Sequence, residues 1–245
     1  MRKLLAVEIL KIRRSLALLM MFLTPLMVVL LVTAITAKQH HMDAIVPKHW
    51  QFFWTSVTGL WCYFMLPLYI ALATGLLNGQ EHKNQSWRLM LTLPVSQLQL
   101  YLAKAVLAWL FVVGATLVLV AGGALGIGLL LLCGASASGA FDFALAPVIA
   151  KVALACLPVL VIQHAVSWRF QNLVLPLAIG VIATMGITQI GSSEHWVWYP
   201  WSYSLMAVNG SEAARQHSAL LLAAAVGTAL LAASALALAR REVES

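Results

Sequence analysis

LNGQEHKNQSWRLMLTLPVSQLQLYLAK, Leu77 to Lys104, is a polar interval in a chain that is otherwise nearly all apolar. Of the 245 residues, 62% are hydrophobic and 9% charged, against about 25% charged in a soluble domain. A soluble fold cannot hide that much apolar surface, so the solvent must be lipid. The net charge of +7 does not point to nucleic acid, because the charges cluster at the ends of apolar runs.

Asn78-Gly79 reads as a helix stop. Over residues 81–93, Trp87, Met90 and Leu91 share one side at i, i+3, i+4 spacing, while Glu81, Lys83, Asn84, Gln85 and Arg88 lie mostly elsewhere. The pattern predicts a short amphipathic helix at the membrane surface. Pro94 breaks it. Ser96 with Gln99 forms a capping box that opens the next helix, and Lys104 is expected to snorkel back to the cytoplasm. A turn between membrane helices needs only a few residues. This longer interval either rests on lipid or offers a docking surface to a cytoplasmic partner.

Six apolar runs flank and follow it, over residues 16–37, 54–77, 98–126, 145–163, 173–190 and 219–239. Each is long enough for a membrane helix, and a backbone in hydrocarbon must bond to itself. The predicted fold is therefore an all-α membrane protein with six transmembrane helices in one domain, residues 1–245. The third run continues past Gly126, and its glycines at 122, 123, 126 and 128 are expected to end or kink the helix or pass it into a surface segment. Pro176 and Gly180 suggest a break or tilt in the fifth. The first run exceeds the core of a cleavable signal. Ahead of it, Leu5, Ile9, Ile12 and Leu16 recur at helical spacing. Residues 1–14 read as an interfacial entry helix or as a basic anchor.

Of the 15 Lys and Arg, 11 fall in segments on the side of the N-terminus and four (Lys38, Lys48, Lys151, Arg215) on the other. The positive-inside rule puts both termini in the cytoplasm. His164 and Arg169 then sit in a cytoplasmic turn, as a further partner contact or simply as helix ends. Residues 191–217 face outside and hold Trp196, Trp198, Tyr199, Trp201 and Tyr203. They read as an interfacial aromatic belt or as an outer gate that meets an apolar cargo. Cys62, Cys133 and Cys156 are far apart and read as packing residues. His40, His41, His49, His195 and His217 lack metal-ligand spacing, so no metal is expected. No phosphate-binding G-x-x-x-x-G-K-[ST] motif occurs, so the chain cannot hydrolyse ATP itself. Buried ionisable groups are nearly absent from the runs, which argues for an outside energy source.

A Glu soon after the second run (Glu81), a helix, then "TLPVS" (residues 92–96) and a Lys early in the third run (Lys104) resemble the permeases of type-2 ABC exporters. Gln97 departs from the Arg often found there. The resemblance covers essentially the whole chain, with only residues 81–104 motif-like. It implies that residues 81–93 form a cytoplasmic coupling helix, with Glu81, His82, Lys83, Trp87, Arg88 and Pro94, and also Arg169, contacting an ABC ATPase. It further implies two ATPase copies carrying ATP and Mg, a second identical or related permease, and a place in a bacterial cytoplasmic membrane. This chain would hold no cofactor and bind no nucleic acid. The segment Trp198-Tyr199-Pro200-Trp201-Ser202-Tyr203 is similar to lantibiotic-immunity and bacitracin-type permeases. That implies export of a hydrophobic or amphipathic cargo such as a peptide antibiotic, with Trp196, Trp198, Tyr199 and Trp201 at the outer gate. The alternative from another class is a membrane sensor or scaffold that docks a partner without transport. An intramembrane enzyme would need paired polar catalysts inside the runs, and none is read there.

Overall fold

Apolar runs that cannot bond to their solvent form helices, and the computed structural model, which describes residues 2–12, 15–39, 47–83, 96–170, 172–191 and 193–243, is mostly helical, with no strand among those residues. The helices are α1 (Arg2–Ile12), α2 (Leu16–Gln39), α3 (Pro47–Leu60), α4 (Leu66–Lys83), α5 (Gln97–Leu132), α6 (Leu145–Ala155), α7 (Leu157–Arg169), α8 (Val174–Ile190), α9 (Tyr203–Asn209) and α10 (Ala213–Val243). A π-helical turn, Trp61–Met65, joins α3 to α4 without a break. Among the described residues, four stretches are long and apolar enough to cross a membrane: Leu16–Lys38, Lys48–Gly79, Gln97–Leu132 and Ala213–Arg240. The fourth predicted run is instead a pair, α6 and α7, bent by 44°. The fifth is α8, whose 17 residues reach about 26 Å, short of the roughly 30 Å hydrocarbon core.

The glycines of the third run do not end its helix. α5 continues for 36 residues, and its glycines let neighbours approach. A Cβ on Gly122 would meet Leu26 and Val29 of α2, one on Gly126 would meet Thr33, and one on Gly123 would lie 2.6 Å from Cζ3 of Trp54. The α2–α5 and α3–α5 contacts therefore need these positions bare. Pro176 and Gly180 likewise leave α8 unbroken. Pro176 sits in the first turn, where its missing N–H costs nothing, and Gly180 lies against Ala71 of α4. Asn78-Gly79 does not stop α4 either, which runs on to Lys83. The π turn has a local cause. Pro67 cannot donate to Tyr63, and Leu66 N–H reaches back to Trp61 O instead.

The core is continuous and aromatic, with Trp50, Phe53, Trp54, Trp61 and Tyr69 all buried. Trp54 stacks on Phe143 with centroids 6.0 Å apart. A smaller cluster joins Trp196, Tyr203 and Met206 to Ala155 of α6 and to Ala219 and Ala223 of α10. Ala219, Ala223 and Gly227, spaced four apart, are the face that α10 buries. Cys62 and Cys156 are buried as expected of packing residues, whereas Cys133 is exposed at the end of α5.

The glycine contacts can be tested in the purified protein. Gly123→Ala forces a carbon against the buried Trp54 ring and is expected to lower stability by about 1–3 kcal/mol. Gly128→Ala, with nothing within 4 Å, should change it by less than about 1 kcal/mol. Denaturation of both variants in detergent checks the ordering.

Candidate functional site

One end of the bundle carries a polar junction made by four helices. Lys104 lies eight residues into α5 and is 2% exposed. Its ammonium donates to the Leu77 carbonyl of α4 at 2.8 Å and lies 3.4 Å from Oε2 of Glu8 on α1. Glu8, also buried, takes Lys11 Nζ on its other oxygen at 2.6 Å. Beside this pair, Asn78 of α4 donates from Nδ2 to Ser167 Oγ of α7 at 2.6 Å and to His164 Nδ1 of α7 at 3.2 Å. His164 Nε2 is 3.1 Å from the Tyr101 carbonyl of α5, and Ser167 Oγ donates to the His164 carbonyl at 3.0 Å.

These contacts fix the protons. The Tyr101 carbonyl can only accept, so His164 carries its hydrogen on Nε2 and accepts at Nδ1. Both Asn78 amide hydrogens are then used, one on the imidazole and one on the serine. Asn78 Oδ1 is buried with no hydrogen-bond partner among the described residues. The Tyr101 ring covers the imidazole at 4.4 Å and meets Trp168 edge-on at 5.2 Å. Ser234 of α10 lies at the Tyr101 side chain. The helix carrying the N-terminus and the last turns of α10 thus meet at one end, with the end of α4, the start of α5 and the end of α7.

The junction holds both feet of the interval from which the fold was read. The Ser96 half of the capping box is formed, with Ser96 Oγ accepting from Gln99 N at 3.2 Å. Trp87, Arg88 and Pro94 lie outside the described residues, as do residues 84–93 of the expected coupling helix. Glu81, His82 and Lys83 form the last turn of α4 rather than the start of a separate helix. Arg169, the last residue of α7, is exposed at the same end. His164 is not in a surface turn but buried inside α7, where Asn78 and Tyr101 satisfy it. Lys104 does not snorkel, because Leu77 and Glu8 supply its partners within the protein.

Sequence reading missed Glu8, and the reason is specific. In the apolar row read along the entry helix Ile9 is exposed, as a lipid-facing residue would be, while Ile12 is buried together with Glu8. Glu8 and Ile12 are one turn apart on a face that joins α5. A single acidic residue in a helix otherwise made of basic and apolar residues was the available signal. Asn78, His164 and Ser167, polar residues within apolar runs, were another.

At the opposite end, residues 193–209 fold into two 3₁₀ turns and α9. Tyr203 donates from its hydroxyl to Val197 O at 2.6 Å and meets Trp196 edge-on. Ser202 Oγ donates to Tyr199 O at 2.7 Å and reaches Trp196 O. Tyr199 donates to the Ala183 carbonyl of α8. Trp196 and Trp201 are buried, Tyr199 is half-buried, and Trp198 is 82% exposed. Among the four aromatic candidates, Trp198 alone presents most of its ring to the surroundings. Asn209 ties the segment to Thr55 and Thr58 of α3.

The profile of a family described as ABC-2 family transporter protein matches residues 4–187, from α1 to near the end of α8. The chain belongs to the ABC-2 transporter family. It is a multi-pass membrane permease component of an ABC transporter, and such a component works with an ABC ATPase. The aromatic segment and α10 lie outside the matched residues. No curated protein and no solved structure matches the chain.

The buried ion pair makes a quantitative prediction. Removing one member of a buried pair leaves the other uncompensated, at a cost of about 3–5 kcal/mol. Lys104→Met and Glu8→Gln are each expected to destabilise on that scale, and the double variant by clearly less than their sum. Equilibrium unfolding of the three variants in detergent measures the difference.

Proposed function

We propose that this permease is half of an ATP-driven exporter whose cargo is hydrophobic or amphipathic, with a membrane-active peptide antibiotic as the cargo class. The polar end faces the cytoplasm, with both termini on that side of a bacterial cytoplasmic membrane and six passes between them. Residues 81–94 dock the ATPase, aided by Arg169, with Glu81, His82, Lys83, Trp87, Arg88 and Pro94 as contacts. Two permease halves, identical or related, sit on two ATPase subunits that hold the ATP and Mg. The observation that carries the reading is the anchoring of that segment. Its entry at Leu77 and Asn78 and its exit at Tyr101 and Lys104 are both bonded into one buried junction, so a force on it would reach α1 and α7 directly. A floating loop has no use for such footings.

The opposite end would meet the cargo. A peptide that partitions into the outer leaflet would first encounter interfacial aromatic rings, which offer apolar faces with polar tips. Trp198 is the exposed ring that fits this role, while Trp196, Tyr199 and Trp201 hold the gate segment in shape.

Glu81→Ala and Arg88→Glu should spare folding, with ATPase binding weakened by about 2–5 kcal/mol for a charge-assisted contact. Co-purification and cargo-stimulated ATP hydrolysis measure it. Full recovery of the complex and full stimulation in both variants would return residues 81–94 to a plain surface loop.

Trp198→Ala should lower resistance to peptide antibiotics at unchanged expression, whereas Trp196→Ala should lose about 3–5 kcal/mol of stability from the core. Unchanged sensitivity to every peptide after gene deletion, with a defect for a small polar compound, would sink the antibiotic reading and leave export standing.

A further inference from the structure

The fourth span is broken at one place, and the break separates two differently anchored halves. α7 belongs to the polar junction through His164 and Ser167. α6 belongs to the aromatic end: Ala155 packs with Trp196 and Tyr203, and Lys151 Nζ donates to Gln216 Oε1 at 2.7 Å. Between them lies the 44° elbow at Cys156.

The chemistry of the elbow is local. Pro158 has no N–H to give to Leu154, which weakens the helix there. The carbonyl of Ala153, which a continuous helix would bond to the Leu157 amide, is taken instead by the indole N–H of Trp109 on α5 at 2.8 Å. The Cys156 thiol approaches the same oxygen at 3.5 Å. On the far side, Gly227 lets α10 close on the elbow, since a Cβ there would lie 2.8 Å from Leu157 Cβ. A groove of about 510 Å³ opens beside it, lined by Trp109, Ala153, Leu154, Leu157, Leu160 and Leu231 among others, all of them apolar.

We propose that residues 155–158 form a hinge of the transport cycle and that Trp109 is the positioning residue that sets its angle. Two states differ by the exchange of one hydrogen bond. In the bent state the Ala153 carbonyl accepts from Trp109. In the straighter state it accepts from the Leu157 amide, and the indole turns into the groove. The bent state is the one seen here, and each state leaves one donor off this carbonyl, the Leu157 amide when bent and the indole when straighter. Movement of the polar junction by the ATPase acts on α7, and the hinge converts it into a tilt of α6 under the aromatic cap. This role in the cycle rests on the permease reading above; the exchange itself does not.

The test reads the latch directly, in nanodiscs, with ¹⁵N-labelled tryptophan. The Trp109 indole resonance is assigned by its loss in Trp109→Phe. Pro158→Ala restores the missing donor and should move that resonance toward the non-bonded position. Wild-type complex trapped with ATP should populate the same position. Should Pro158→Ala fail to fold, Gly227→Ala presses the elbow from the other side and is read in the same way. A resonance that moves in neither variant overturns the exchange. One that moves in a variant but not on ATP trapping, with the ATPase bound, overturns the role in the cycle and leaves the permease intact. Failure of any ATPase to bind the wild type is a failure of the docking reading, and the variant arm still decides the exchange.

Discussion

Hydrocarbon offers no partner for an N–H or a C=O, and every feature of this molecule answers to that constraint. Regular helix is the default solution, and three departures from it carry substitute bonds. The π turn before Pro67 uses Leu66 N–H to Trp61 O. The elbow before Pro158 borrows the Trp109 indole. In the aromatic segment the hydroxyls of Ser202 and Tyr203 bond carbonyls of its own turns, and that of Tyr199 ties it to the Ala183 carbonyl of α8. Threonines follow the same rule, with Thr36, Thr58, Thr74, Thr116 and Thr184 each donating to the carbonyl four residues back.

The two ends of the bundle solve different problems. At the polar end, a full charge on Lys104 is kept by a carboxylate and a carbonyl from two other helices. Burial of an ion pair adds little net stability, but separating its members is costly. Such a pair holds α1, α4 and α5 in one register rather than gluing them indiscriminately. At the aromatic end, large rings fill volume and hydroxyls bond backbone carbonyls, so shape rather than charge sets the arrangement. Small residues mediate between the ends: Gly122, Gly123 and Gly126 bring α2 and α3 onto α5, and Gly227 brings α10 onto the elbow.

Much of the architecture was legible because lipid simplifies reading. Apolar runs imply helices, and Ser96 marked the start of α5 through a bond that needs only three consecutive neighbours. The glycines of α5, Pro176 and the Asn78-Gly79 pair misled, since each is a stop signal only when its neighbours are solvent. In the bundle, Gly123 is a seat for Trp54, and Asn78 is held by a serine and a histidine 89 and 86 residues away. Family-like character in residues 81–104 was visible without any structure, because an isolated polar interval stands out against an apolar background.

What the sequence by itself determined is the solvent, the helical state of the chain and the place of its polar interval, all consequences of local composition. Tertiary structure alone decided that Glu8 reaches Lys104, that His164 turns inward, that Trp198 stays exposed while Trp196 and Trp201 are buried, and that Trp109 finds the Ala153 carbonyl at the elbow between α6 and α7. The physical reason is that a buried charge, donor or ring is placed by partners from other helices, and its own neighbours along the chain do not name them.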